Sequence, residues 1–268
     1  MRILVLGNGF VGKPLAKYLG ADTFQDKRLN EICHFDLDPY DVVINTAAKT
    51  SIDWCEKNRV LAFDTNVIDA VRLAQITKGK YVFFSSGCIF KSANPQEINY
   101  EDAIPNPQCF YTYTKLMAEQ LIEQVNSNAL IIRPRLLISE HSHPRNTINK
   151  LLNYEKIITS QESATVLEDL IIKIKELIDC DKKGAFNIFN EGTISPSEIM
   201  TIFKHPHEKI TKEQLDVLVK GRARRVSTIL GTHKTVPLPD IRKRIKEIKK
   251  NWNKSLEVAI EVATGLAV

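Results

Sequence analysis

Cysteine is scarce and scattered: Cys33, Cys55, Cys88, Cys109 and Cys180 are odd in number, and consecutive ones lie at least 21 residues apart. No C-x-x-C spacing occurs, so the sequence predicts neither a disulfide framework nor a structural zinc site, and a reducing cytoplasm is the expected location. His141 with His143, and His205 with His207, are spaced like ligand pairs, but no Cys, Asp or Glu cluster accompanies them, so no metal is expected. Long apolar runs are missing too. The opening strand-like run reaches Gly7 after four apolar residues, and no later uncharged run approaches the roughly 20 residues that cross a bilayer. Neither a signal peptide nor a membrane span is predicted. With 11 Gly, 11 Pro and no internal repeat, the chain is neither collagen-like nor a low-complexity segment.

The chain has 268 residues, of which 43% are hydrophobic and 26% charged, which is enough to bury a sizeable core. Its net charge of +5 is uneven: residues 204–254 hold 15 Lys plus Arg against 5 Asp plus Glu, so the rest is net acidic. Within that basic region Ile241, Ile245 and Ile248 fall on one helical face. This predicts a packed helix with a solvated basic side rather than a nucleic-acid stripe.

Short apolar runs alternate with helical periodicity. Strands are predicted at 2–6, 42–45, 80–85, 129–133 and 185–189, and helices at 11–18, 60–76, 111–125 and 166–178, with a polar, proline-bearing loop over 92–107. This is the pattern of an α/β, doubly wound parallel sheet, in which a ligand sits at the carboxyl ends of the strands. Residues 1–135 with 164–189 are expected to form a dinucleotide-binding unit. The irregular 136–163 and 190–254 segments form a smaller substrate-binding part, and 255–268 is a tail that docks as a helix or frays.

Gly7-Asn8-Gly9-Phe10-Val11-Gly12 follows an apolar strand and opens a helix. In that context G-x-G-x-x-G reads as a pyrophosphate turn, where glycines let backbone N–H groups of residues such as Phe10 and Val11 approach phosphate oxygens at a helix N-terminus. Asp36 and Leu37 precede the second half of the site, and Ala47 and Ala48 are small enough to let a cofactor lie across the sheet edge. Lys27 and Arg28, just after Asp26, could hold a 2′-phosphate, which leans toward NADP(H) over NAD(H); a solvated loop charge is the other reading.

Tyr111 and Lys115 stand at i and i+4 and share a helical face, which Tyr113 does not. An ammonium beside a phenol is expected to lower its pKa and make it a usable proton donor or acceptor. Ser86 closes the preceding strand, and Cys88, two residues on, faces the same side if extended geometry persists.

Glycine turn, strand-end serine and Tyr-x-x-x-Lys together resemble the extended short-chain dehydrogenase/reductases, which have a Rossmann fold. The segments 52–56, Gly87-Cys88-Ile89-Phe90, 111–115, His143 to Lys150, 154–156, 166–170 and 185–190 are similar, more narrowly, to UDP-4-keto-6-deoxy-glucose 3,5-epimerase/4-reductases. The glycine turn is one residue shorter than that family's G-x-x-G-x-x-G. The resemblance implies an NAD(P)H-dependent enzyme that epimerises and reduces a nucleotide-linked 4-keto-6-deoxyhexose to a rhamnose. Tyr111 would be its proton donor, Lys115 the electrostatic partner and ribose ligand, and Ser86 the hydroxyl on the carbonyl. Cys88 and Lys150 would be its epimerisation acid/base pair. Arg145, Asn146 and Arg222 join Ser86 and Cys88 as substrate ligands, and a homodimer is expected, with no nucleic acid or membrane as partner. The alternatives are a reductase-only enzyme of the dTDP-4-dehydrorhamnose type and a non-catalytic dinucleotide-binding regulatory subunit.

Overall fold

The computed structural model describes residues 1–24, 27–94 and 96–264, the last twelve of these by their backbone alone. In chain order the elements begin β1 (Ile3–Leu6), α1 (Gly12–Leu19), β2 (Asp22–Thr23), α2 (His34–Leu37), β3 (Val42–Asn45), α3 (Ile52–Lys57), α4 (Arg59–Phe63), α5 (Asp69–Ile76) and β4 (Lys80–Phe84). They continue α6 (Phe110–Val125), β5 (Leu130–Pro134), β6 (Leu137–Ile138), α7 (Thr147–Leu151), β7 (Lys156–Ile158), β8 (Thr165–Val166), α8 (Leu167–Asp179) and β9 (Gly184–Ile188). Last come α9 (Pro196–Ile202), β10 (Glu208–Ile210), α10 (Lys212–Leu218) and α11 (Ile241–Thr264). The tail expected over 255–268 is helical in its backbone as far as Thr264, and its final four residues, like Asp26, lie outside the described residues.

Six strands form one parallel sheet in the order β2-β1-β3-β4-β5-β9. Both faces are covered, which is why these strands read as unbroken apolar runs rather than alternating ones. Ile3, Val5, Val42, Ile44, Val82 and Phe84 face α1 and α8, while Leu4, Leu6, Val43, Tyr81 and Phe83 face α5 and α6. The chain winds outward to β2 on one side of β1 and to β3 on the other. The carboxyl ends of β1 and β3, where Leu6 pairs with Asn45, are therefore the switch point at which such a sheet opens a crevice.

The helix expected over 60–76 is present but contains a π turn at Asp64–Ile68. The extra residue turns Asn66 inward. Its amide accepts from Lys49 N–H and donates to the Lys49 carbonyl and to Thr114 Oγ1, joining the loop after β3 to α6. A separate core holds Ile138, Ile148, Ile157, Ile199 and Met200 under Ile241, Ile245, Ile248 and Trp252, so the apolar face of α11 is buried as far as Trp252, while Arg242 pairs with Glu198 and Arg244 with Glu140 and Asp169.

Candidate functional site

The glycine turn is held at the switch point by Thr46, whose hydroxyl donates to the carbonyls of Leu6 (2.8 Å) and Gly7 (3.2 Å). Gly7 has φ +101°, and a Cβ there would lie 2.8 Å from Ala47 N; a Cβ on Gly12 would lie 1.8 Å from the Gly7 carbonyl oxygen. Nothing lies within 4 Å of a Cβ built on Gly9. The turn is thus packed tight at two glycines and open at the third, where a phosphate would have room. Beside it, the buried Ser85 Oγ at the end of β4 has no hydrogen-bond partner among the described residues. An open glycine face and an unspent hydroxyl fit a nicotinamide dinucleotide.

The ribose end is less open than the sequence suggests. The Lys27 ammonium is paired with Asp36, which also accepts from Cys33 N–H (2.8 Å), so that this carboxyl is held down at about 2. Both cations, Lys27 and Arg28, are exposed, and Lys27 is the one paired with Asp36. Leu37 is only 1% exposed and packs with Ile32 and Leu73 in the core. The expectation that it touches cofactor is corrected, because its side chain turns under the sheet rather than into the crevice.

At the end of β4 the chain does not stay extended. Gly87–Ile89 is a 3-10 turn capped by Ser86, whose Oγ accepts from Cys88 N–H at 3.2 Å. This replaces the extended spacing from which a shared direction of Ser86 and Cys88 was expected. The two still lie near one place, because Ser86 and Cys88 are both close enough to the buried Tyr111 phenol to influence its ionisation. Burial pushes the Tyr111 phenol well above its usual range. Here the sequence expectation of a lowered value is overturned. Lys115 is itself buried, donates to the Phe84 carbonyl at 2.7 Å and lies over the Phe83 ring, and desolvation pushes it down to about 8.

Two residues that sequence reasoning missed stand behind Cys88. Arg135, one residue past β5, donates from Nη1 to Cys88 Sγ at 3.2 Å and from Nη2 to the Val226 carbonyl at 2.6 Å, and it is ion-paired with buried Glu162. A signal for Arg135 was present: it follows the carboxyl end of a parallel strand, where ligands collect.

Lys150 is exposed in the last turn of α7, its ammonium held below the usual lysine range by partial desolvation and by Arg145. No hydrogen bond joins it to Cys88 among the described residues. Arg145 is exposed beside it. Asn146 is fully buried and caps α7 through Ile148 N–H while its amide donates to the carbonyls of Ser139 and His141. Its expected role as a substrate ligand is corrected, since its polar atoms are spent on the loop. The same loop returns to the glycine turn, where the His143 ring stacks on Phe10 with centroids 4.9 Å apart.

Arg222 is exposed, and it is Arg224 and Arg225 that line the neighbouring cleft with Lys91, Gln161, Lys212 and Ser227. Arg222 does not line this cleft, and Arg224 lines it while exposed; the bond from Ala223 N–H to Asp53 and the Arg225–Asp53 ion pair at 2.7 Å hold the run in place. Val226, which lines this cleft, also carries the carbonyl that receives Arg135. No group of three or more His, Cys, Asp or Glu that could hold a metal occurs among the described residues.

Residues 1–172 match the family described as RmlD substrate binding domain. The chain belongs to that family. Among RmlD-family relatives, a bifunctional dTDP-4-dehydrorhamnose 3,5-epimerase/dTDP-4-dehydrorhamnose reductase of Arabidopsis thaliana is 33% identical over 175 residues, 60% of this chain. The chain spans 58% of that relative's length. The L780 UDP-rhamnose synthase of Acanthamoeba polyphaga mimivirus superposes with a TM-score of 0.82 at 24% identity, covering 93% of this chain and 98% of that one. A dTDP-4-dehydrorhamnose reductase of Bacillus anthracis, solved in complex with NADP, gives a TM-score of 0.77 at 20% identity over 92% and 96%. These likenesses establish a Rossmann-like parallel sheet with flanking helices.

Proposed function

We propose that this RmlD-family chain is a bifunctional 3,5-epimerase/4-reductase that converts a nucleotide-linked 4-keto-6-deoxy-glucose, UDP-linked in our reading, to nucleotide-rhamnose with NADPH in preference to NADH. The observation that carries the proposal is the convergence of Ser86, Cys88 and Tyr111 at the carboxyl end of the sheet, one crevice away from the open glycine turn. The cofactor, when bound, supplies the hydride. Residues 1–135 with 164–189 would hold it, and 136–163 with 190–254 would hold the sugar nucleotide, whose diphosphate would meet Lys91 and Arg224 in the adjoining cleft, where Lys212 and Arg225 are already paired with Asp216 and Asp53 and where Glu213 also lies.

In this mechanism Ser86 hydrogen-bonds the C4 carbonyl and Tyr111, kept protonated by burial, gives its proton to that oxygen. Lys115 orients the phenol and the ribose. Before reduction, the ketone acidifies the hydrogens on C3 and C5, and Cys88 and Lys150 exchange protons at opposite faces of the ring. The buried apolar face of α11 supports the absence of a nucleic-acid partner, and no described helix is long and apolar enough to cross a membrane. Exposed Val60, Leu61 and Ile68 beside Tyr113, Leu121 and Val125 of α6 support a homodimer formed through that side. Five free cysteines suit a cytoplasmic setting.

The test is incubation with NADPH and UDP- or dTDP-4-keto-6-deoxy-glucose, with the product identified by NMR. A rhamnose is expected. The reductase-only reading predicts a reduced sugar with C3 and C5 unchanged. A regulatory subunit would leave both substrates untouched.

A further inference from the structure

Arg135 is 9% exposed, yet its guanidinium is not given over to oxygen acceptors alone. Nη2 serves Glu162 and the Val226 carbonyl, Nη1 is directed at Cys88 Sγ, and the buried Nε has no partner among the described residues. A neutral thiol is a weak acceptor, so a buried guanidinium donor aimed at sulfur gains most when the sulfur is anionic. An arginine that merely tied β5 to the segment before β8 would need only Glu162 and Val226.

We infer that Arg135 is the positioning residue of the epimerisation step, donating to the Cys88 sulfur and aiming it at the sugar ring. The inference rests on the proposed role of Cys88 as a base. At each centre the C–H bond next to the C4 ketone breaks, its proton passes to sulfur to form S–H, and the electron pair moves to the carbonyl oxygen as an enolate. Lys150 returns a proton to the other face of the carbon, and both side chains are restored by exchange with water. Arg135 gains and loses nothing, because a guanidinium stays protonated throughout. Its Glu162 partner offsets a buried charge that would otherwise be costly, while one Nη remains for sulfur.

The experiment reads the sulfur directly, without sugar or cofactor. Carbamidomethylation of the folded protein by iodoacetamide is followed across the neutral to mildly alkaline range by peptide mass spectrometry, with exposed Cys33 and Cys180 in the same molecules as references. Arg135→Met is expected to slow Cys88 threefold or more near neutral pH and to displace its pH profile upward, leaving the two reference cysteines unchanged. Arg135→Lys restores part of the rate. If Arg135→Met does not fold, Glu162→Gln serves instead: it leaves the guanidinium charge to the sulfur alone and is expected to speed Cys88 near neutral pH. An undisplaced profile, or faster alkylation through simple loosening in Arg135→Met, overturns the inference, as does an unchanged Cys88 rate in Glu162→Gln. A displaced profile in a protein that washes no deuterium from water into C3 and C5 of the keto sugar overturns the proposed function and leaves the Arg135–Cys88 pairing standing.

Discussion

Tyr111 is a buried phenol whose pKa is pushed up by desolvation, so it stays protonated, which suits the proposed role of acid when negative charge builds on a neighbouring oxygen. Tyr111→Phe keeps the ring and removes the proton. Turnover of the keto sugar is expected to fall about a hundred- to ten-thousand-fold with little change in substrate binding. Tyr113, 48% exposed on the same helix, is the matched control, and Tyr113→Phe should be mild in the same assay. Lys115 carries a pH signature. Its folded-state pKa of about 8 lies below the ordinary 10.5, so the unfolded chain binds that proton more tightly and burial of the ammonium costs stability. The cost is fully present below about 8 and disappears as pH rises from there to 10.5. Urea titrations should show the stability of the native chain, relative to Lys115→Met, rising across that window. The shared helical face of Tyr111 and Lys115 was legible in the sequence from their i, i+4 spacing, whereas the burial that raises the Tyr111 pKa was not. Arg135 stands where a parallel strand ends, a signal the sequence did carry, but its partners Cys88, Glu162 and Val226 lie far from it along the chain and are joined to it only by folding. Asn146 was misread for a related reason: a polar residue in a loop looks like a ligand until its three hydrogen bonds to that loop and its cap on α7 are seen.

At the scale of elements, the glycine turn separates two kinds of necessity. Gly12 has no room for a side chain, and Gly12→Ala forces a Cβ against the Gly7 carbonyl, so thermal melting should show a loss of about 2 kcal/mol or more. Gly9 has room, so Gly9→Val should melt like the native chain while losing NADPH binding by calorimetry. Unchanged affinity in that variant would remove the turn from the cofactor site. The sequence revealed this strand, turn and helix through their apolar run and glycine spacing. It did not reveal the two-residue β2, whose Asp22 and Thr23 carry no apolar signal, nor the π turn at Asp64–Ile68, which keeps helical periodicity while shifting one residue inward.

Across the whole molecule, the parallel order of the six strands follows from alternating apolar runs and helices, and it places every proposed catalytic group of the sheet at one end. What lay beyond the reach of periodicity is the way 226–231 folds back, with Thr228 donating to the Phe90 carbonyl and Leu230 packing on Ile89 and Phe90, to bring the Arg224–Arg225 cleft beside Cys88. The apolar side chains left exposed on α4, the π turn and α6 lead to an expectation for association. Sedimentation should give a dimer, and replacing Val60, Leu61 and Ile68 together by Ser should give a monomer without loss of fold.

The stacking of His143 on Phe10 ties the loop that leads into the helix of Lys150 to the turn that faces the dinucleotide. Any ligand that presses on one ring does work on the other, and thermodynamic reciprocity requires the two affinities to change by the same factor. Under the proposed function, His143→Ala is expected to weaken the dependence of sugar-nucleotide affinity on bound NADPH, read by calorimetry with and without the cofactor.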